Sequence, residues 1–191
     1  MSQIDSAVIA QWVQAIGTIA GIFAGVFGLW WQLRKQWLLN SANIVSSLAN
    51  EYTNDVWRKY RRHSARSLQE HLNGKQIDLS KDLPILGFFE NMGHLVRRGG
   101  LDKEMIWNKF GWYIVRYYLA LTYKNNLIED IRRKEADPTL WEEWEWLNHE
   151  MLKIYQRRGV KILTDSALLV EENVRIRINE LFEQELNLEI T

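Results

Sequence analysis

The chain of 191 residues lacks cysteine altogether, has two prolines, and carries no net charge, with 24 Lys and Arg against 24 Asp and Glu. Without cysteine there is no disulfide framework and no thiolate chemistry, which permits a reducing compartment without demanding one. A net charge of zero gives no general attraction to nucleic acid. Pro84 and Pro138 are the only prolines, so few positions forbid a helix. No run alternates apolar and polar residues as a half-buried strand would. Several chemistries are missing their motifs: there is no HExxH, no Walker loop, no GxGxxG and no GxSxG elbow. His63, His71, His94 and His149 are the only histidines, and without cysteine their spacing makes no metal site. No metal and no cofactor are expected.

The most informative gap is the absence of any Asp, Glu, Lys or Arg from Ser6 to Leu33. A helix crosses a bilayer core of about 30 Å with about 20 apolar residues. Trp12 and Trp31 lie about 28 Å apart along such a helix, a spacing that seats both indoles in the headgroup layers. A buried core helix would not need so long an uncharged run. A cleaved signal peptide would start basic and end on small residues, whereas Asp5 precedes this run and Trp30 and Trp31 close it. The expectation is one retained transmembrane helix. Arg34 and Lys35, then Arg58, Lys59, Arg61, Arg62 and Arg66, all follow it, and no Lys or Arg precedes it. The positive-inside rule places the N-terminus outside and the remainder in the cytoplasm. The expected organisation is therefore all-α: residues 1–36 as a membrane anchor in a bacterial inner (cell) membrane, and residues 37–191 as a cytoplasmic helical domain.

Within the span, Gln11, Gln14, Thr18, Gly21, Gly25, Gly28 and Gln32 recur at steps of three and four, which holds them on one stripe of a helix. Gly17, Gly21 and Gly25 run beside it at steps of four. Helices in lipid associate by close backbone approach and interhelical hydrogen bonds, and such small-residue repeats permit both. The stripe is read as an interface between copies of the chain, and the polar groups on it as glue between helices or as the lining of a wet pore.

After the membrane, caps and breakers delimit further helices. The first helix continues from Trp37 through Ile44, Val45, Leu48 and Tyr52. A second starts at Asn54 or Asp55, carries Val56, Tyr60 and Leu68 inward, and ends near Asn73–Gly74. Lys75 to Asp82 reads as a loop. Pro84 opens a third helix that stops at Gly99–Gly100, and Asp102 caps a fourth. Asn125 and Asn126 interrupt it before a short continuation to Ala136. A fifth begins at Asp137–Pro138–Thr139 and closes at Gly159, and a last runs roughly from Asp165 to Glu185, with Leu168, Leu169, Val174, Ile176, Ile178, Leu181 and Phe182 as its apolar residues.

Three stretches are familiar. Phe88-Phe89-Glu90-x-Met92-Gly93-x-Leu95-Val96-Arg97-Arg98-Gly99-x-Leu101-Asp102, Trp107-x-x-Phe110-Gly111-x-x-Ile114-x-Arg116-Tyr117-Tyr118 and Pro138-x-x-Trp141 resemble a family of small uncharacterised bacterial proteins, a domain of unknown function. The resemblance covers roughly residues 8 to 150. It implies one N-terminal span and a helical soluble part, and it supplies no chemistry.

Arg58-x4-His63 and Arg66-x4-His71 fit the Arg-x4–6-His pattern of HEPN ribonucleases, and in outline the chain resembles CRISPR accessory membrane proteins that join such a motif to a span. With 14 arginines and 4 histidines, about one such match arises by chance. Lys59, Arg62 and Arg66 repeat at helical spacing beyond the membrane exit, so they are read with Arg34 and Lys35 as contacts to anionic headgroups, or as a solvated face. RNA binding would want stacking aromatics, and Trp57 and Tyr60 are expected to point into the bundle. Glu142, Glu143, Glu145 and Glu150 form an acidic block whose sign is opposite to that of the second helix, pointing to contact between them within or between subunits. Glu90 with Arg97, and Arg116 among tyrosines, are expected as buried pairs that fix the bundle. The function so read is a self-assembling single-span protein, a pore or membrane effector (a role in bacterial defence being one form of it) or a scaffold for a cytoplasmic protein partner. The alternative is a membrane-anchored HEPN-like ribonuclease acting through Arg58, His63, Arg66 and His71.

Overall fold

The computed structural model describes residues 2–75, 83–124, 126–160 and 171–188. It is all-α, with no strand among the described residues. The helices are α1 (Ser2–Thr53), α2 (Asp55–Leu72), α3 (Ile85–Arg97), α4 (Lys103–Thr122), α5 (Leu127–Glu135), α6 (Glu142–Arg157) and α7 (Glu171–Leu186). By contacts the chain divides into two compact units, Met1–Ser41 and Ala42–Thr191.

Short polar side chains start the helices of the second unit. A helix leaves its first N–H groups without internal partners, and Asn54 accepts from the Trp57 N–H at 2.9 Å, Asp102 from Met105 at 2.9 Å and Asn126 from Glu129 at 3.4 Å. Glycine ends them where the backbone turns left-handed, as at Gly99 (φ 73°) and Gly159 (φ 63°), a conformation that costs a Cβ-bearing residue about 1 kcal/mol or more. The core is aromatic. Trp144, Tyr117, Phe89 and Phe110 are fully buried, and the Phe89 and Trp144 rings stack with centroids 5.6 Å apart. α6 packs on α3 and α4, α7 packs on α2 and α4, α2 touches α3, and α5 lies on α4.

Several expectations are corrected. Val56 and Tyr60 are exposed; the inward stripe of α2 is Arg61, Ala65 and Leu68, with Trp57 and Leu72 half-buried at its ends. Leu68 faces inward as expected and Trp57 packs against the core, whereas Val56 and Tyr60 give way to Arg61, whose burial becomes favourable only with a counter-charge beside it. Ile44 and Ile176 are exposed as well. α6 begins at Glu142 rather than Asp137: Asp137 instead accepts from the Thr139 N–H and hydroxyl at 2.9 and 2.7 Å, closing a turn, and Trp141 precedes the helix at φ 60°. Residues 76–82 of the expected loop Lys75 to Asp82, Asn125, and Asp165, Leu168 and Leu169 lie outside the described residues.

Candidate functional site

From Ile9 to Leu33 every large apolar side chain is exposed, Phe23 by 71% and Trp12 by 66%. Exposing contiguous apolar surface on this scale to water is unfavourable. α1 is long and apolar enough to cross a membrane, as the one such helix among the described residues. Arg34 follows directly, its guanidinium over the Trp30 ring at 5.4 Å. The helix is continuous through Gln11, Gln14, Gly17, Thr18, Gly21, Gly25, Gly28 and Gln32, so these small and polar residues share adjoining rows along it. A Cβ added at Gly17, Gly21, Gly25 or Gly28 would meet nothing within 4 Å. Thr18 satisfies its own hydroxyl by donating to the Gln14 carbonyl at 2.9 Å, so it needs no partner helix to be tolerated in lipid.

α2 holds Arg58, His63, Arg66 and His71. Arg58 pairs with Asp55 at 3.3 Å, and His63 and Arg66 are exposed. Members of each Arg-x4-His pair are five positions apart, which turns them about 140° from one another on a helix. The four side chains are therefore spread around α2 rather than gathered on one face. Lys59 and Arg66 are exposed and Arg62 is half-buried, on the side of α2 away from its core stripe.

The strongest electrostatic feature is one the sequence reading missed. Arg61 and Glu185 are almost wholly buried, with side chains 3% and 0% exposed. They meet in a forked pair, Nε to Oε2 at 2.8 Å and Nη2 to Oε1 at 2.9 Å. Nη1 donates to the Tyr52 carbonyl at 3.1 Å, and the guanidinium lies over the Tyr52 ring at 4.0 Å and the Tyr113 ring at 5.0 Å. Burial holds the Glu185 carboxyl above its ordinary range, with Arg61 offsetting part of that rise, and pushes the Tyr117 hydroxyl well up. Nothing local in the sequence marks the pair, since its members are 124 positions apart.

A second buried arginine repeats the pattern. Arg116, on α4, lies over the Trp112 ring at 4.1 Å and donates from Nη2 to Glu180 of α7 at 2.9 Å. Its burial was expected; its acidic partner was not. Burial lowers the Arg116 pKa, and Glu180 opposes that. Nε and Nη1 of Arg116 have no hydrogen-bond partner among the described residues.

Glu90 and Arg97 do not pair with each other. Glu90 reaches from α3 to the start of α6 and accepts from the Trp144 N–H at 2.8 Å and the Glu143 N–H at 3.4 Å. α6 has no capping side chain of its own, so Glu90 supplies one from another helix and its charge faces the positive end of the helix dipole. Burial raises the Glu90 pKa in spite of these two bonds. Three residues on, Gly93 is the closest approach of α3 to α6: a Cβ there would stand 2.3 Å from the Glu143 carbonyl oxygen. The segment Phe88–Gly93 thus serves packing and capping. The ion pairs of the acidic block run to α3, α4, α5 and its own helix rather than to α2. Arg97 pairs with Glu142 and Glu143 at 3.2 and 3.4 Å, Arg132 with Glu145 at 2.9 Å, and Lys103 and Lys153 with Glu150 at 2.8 and 2.6 Å. Among the described residues no three His, Asp or Glu side chains stand together as a metal site.

A family model described as a domain of unknown function (DUF4760) matches residues 15–151, which takes in the whole of α2 to α5 and most of α6 and leaves out α7. No curated protein and no solved structure matches the chain.

Proposed function

We propose, for a chain that belongs to the DUF4760 family, that it is a single-span membrane scaffold: copies associate through the stripe on α1 and hold their helical bundles at the cytoplasmic face. The observation that carries this reading is the uninterrupted exposure of apolar side chains from Ile9 to Leu33, next to glycines whose missing Cβ atoms leave open space. Lipid covers most of such a helix, and a second copy of α1 covers its small-residue side, where backbones can approach closely. The basic residues after the span, beginning with Arg34 and Lys35, set the N-terminus outside. Exposed Lys59 and Arg66, with Arg62 beside them, add attraction to anionic headgroups of about 1 kcal/mol each near the surface.

Two measurements test this. A reporter fused after Thr191 is active only as a cytoplasmic fusion if the orientation is right, and periplasmic activity reverses it. Gly21→Leu with Gly25→Leu places side chains where two backbones would meet, so the purified double variant is monomeric in detergent while remaining inserted. Ile19→Leu and Phe23→Leu, off the stripe, keep the wild-type subunit count. A double glycine variant with an unchanged count removes the stripe as the interface.

A further inference from the structure

The two buried arginines, Arg61 on α2 and Arg116 on α4, lie inside the family-matched residues 15–151, and both of their carboxylate partners, Glu185 and Glu180, lie on α7 outside that match. An arginine buried without a partner is strongly unfavourable. The α2–α4 surface is therefore built to receive an acidic helix, and α7 is the helix it holds here. We infer that this surface is a docking site for an acidic amphipathic helix of a partner protein, with α7 as a built-in competitor for the same place.

The chemistry of the site follows from how α7 sits in it. Ile178, Leu181 and Phe182 are buried at the i, i+3, i+4 spacing of one helical face. Glu185 lies within that face and is fully buried, whereas Glu180, five positions earlier, is turned about 140° from Glu185 and its side chain is 37% exposed. A ligand helix thus needs an apolar stripe, one carboxylate inside it for Arg61, and a second five positions earlier for Arg116. α7 fills the site incompletely. An arginine offers five N–H donors, and Nε and Nη1 of Arg116 are unused by the described residues, as is the Tyr52 hydroxyl. Glu180 divides its carboxylate between Arg116 and Arg177 of its own helix, the latter at 2.8 and 3.1 Å. Beside this contact runs an open groove of about 650 Å³ lined by Trp112, Arg116, Arg177 and Glu183 among others, while Nε and Nη1 of Arg116 are themselves closed to solvent, so a competing carboxylate takes these donors only once α7 has opened. Because α7 occupies the surface first, a competitor binds with its intrinsic affinity reduced by the fraction of molecules in which α7 is open.

The site involves neither the span nor the α1 stripe, so its test is separate from that of the scaffold reading. The probe is a fluorescent peptide with the sequence of residues 171–188, added to the full chain in detergent. Hydrogen exchange of the unliganded protein should show α7 opening at least tenfold faster than α3 and α6. Glu180→Gln should increase that opening and tighten binding of the peptide several-fold. A peptide carrying both Glu180→Gln and Glu185→Gln should bind at least tenfold more weakly than the unaltered one. If the Glu180→Gln protein does not fold, the wild type decides, because excess peptide should speed exchange of its own α7. Failure of the peptide to bind overturns the proposal, as does binding that ignores its two carboxylates. Exchange of α7 in a single step with α3 and α6 overturns it as well.

Discussion

Residues 9–33 and residues 42–188 use the same residue types in opposite ways. In the first, large apolar side chains are all on the outside and glycines face open space; in the second, apolar side chains form one core and a glycine is needed because backbone already fills the place of its side chain. Charge divides the same way. The first stretch has none, while the second takes two arginines almost completely inside. On the single-span reading proposed above, the difference reflects the surroundings each stretch must satisfy. Lipid rewards an apolar exterior and punishes unpaired backbone, which a helix satisfies internally. Water rewards burial, and a charge can follow the apolar groups inward only with its counter-charge beside it.

The sharpest way to break this contrast is to remove one member of the buried pair. Arg61→Met leaves Glu185 buried and uncompensated, with an expected loss of about 3–5 kcal/mol in the unfolding free energy of the bundle. Arg61→Met with Glu185→Leu should recover most of it, because an apolar pair of similar volume is often neutral or better. Chemical denaturation followed by tryptophan fluorescence reads both. A double variant as unstable as the single one would mean that the Tyr52 and Tyr113 contacts, rather than the uncompensated charge, set the cost.

The glycines test the contrast directly, with opposite signs. Gly93→Ala forces α3 from α6 at the Glu143 carbonyl and should cost about 3 kcal/mol, at the upper end for overpacking. Gly21→Ala meets nothing within its own chain and should raise the intrinsic helicity of a monomeric α1 by about 1 kcal/mol of propensity, a gain that close approach of a second copy at Gly21 would oppose. Equal destabilisation by both would show that the Gly21 side is already packed against something as tightly as Gly93.

The smallest effect is on pH, and it is confined to the bundle. Burial raises Glu104, Glu145 and Glu180, but their arginine partners outweigh it and each ends below the ordinary carboxylate range; Glu150 is lowered by Lys103 and Lys153. These four stabilise the fold above the unfolded value of about 4.3, and that stability is lost as pH falls through their lower folded values. Glu90 and Glu185 are shifted upward, so their contribution is fully present below about 4.3 and is lost as pH rises through their folded values. Stability of the bundle should therefore peak in mildly acidic solution and fall below about pH 4. Circular dichroism of the near-ultraviolet tryptophan bands should follow that curve, while the apolar stretch of α1, without a titratable group between Asp5 and Arg34, keeps its helical signal throughout. A monotonic rise of stability from pH 4 to pH 8 would mean that the two raised carboxyls carry no weight.

Much of this was legible in the sequence. The absence of charge from Ser6 to Leu33 is a property of consecutive residues and needs no fold to interpret. The boundaries at Asn54, Gly99, Asp102, Asn126 and Gly159 depend on one side chain or one left-handed backbone position meeting groups three or four residues away, so local chemistry sets them. The start of α6 was misplaced because its cap is Glu90, 54 positions from Trp144, while the nearer Asp137–Pro138 looked sufficient by itself. Val56 and Tyr60 were placed inside, and Arg61 was given no place in the core, for a related reason: hydrophobicity ranks residues by their cost alone, and Glu185 removes that cost for Arg61.

What the sequence alone determined is what short-range physics determines: an all-α chain, one helix able to span a membrane, and where most helices begin and end. Only the tertiary structure decided which charges go inside. Burying Arg61 and Arg116 is unfavourable for either residue considered by itself and becomes acceptable once α7 lays Glu185 and Glu180 against them, an energy that belongs to the pair and to the fold that brings it together.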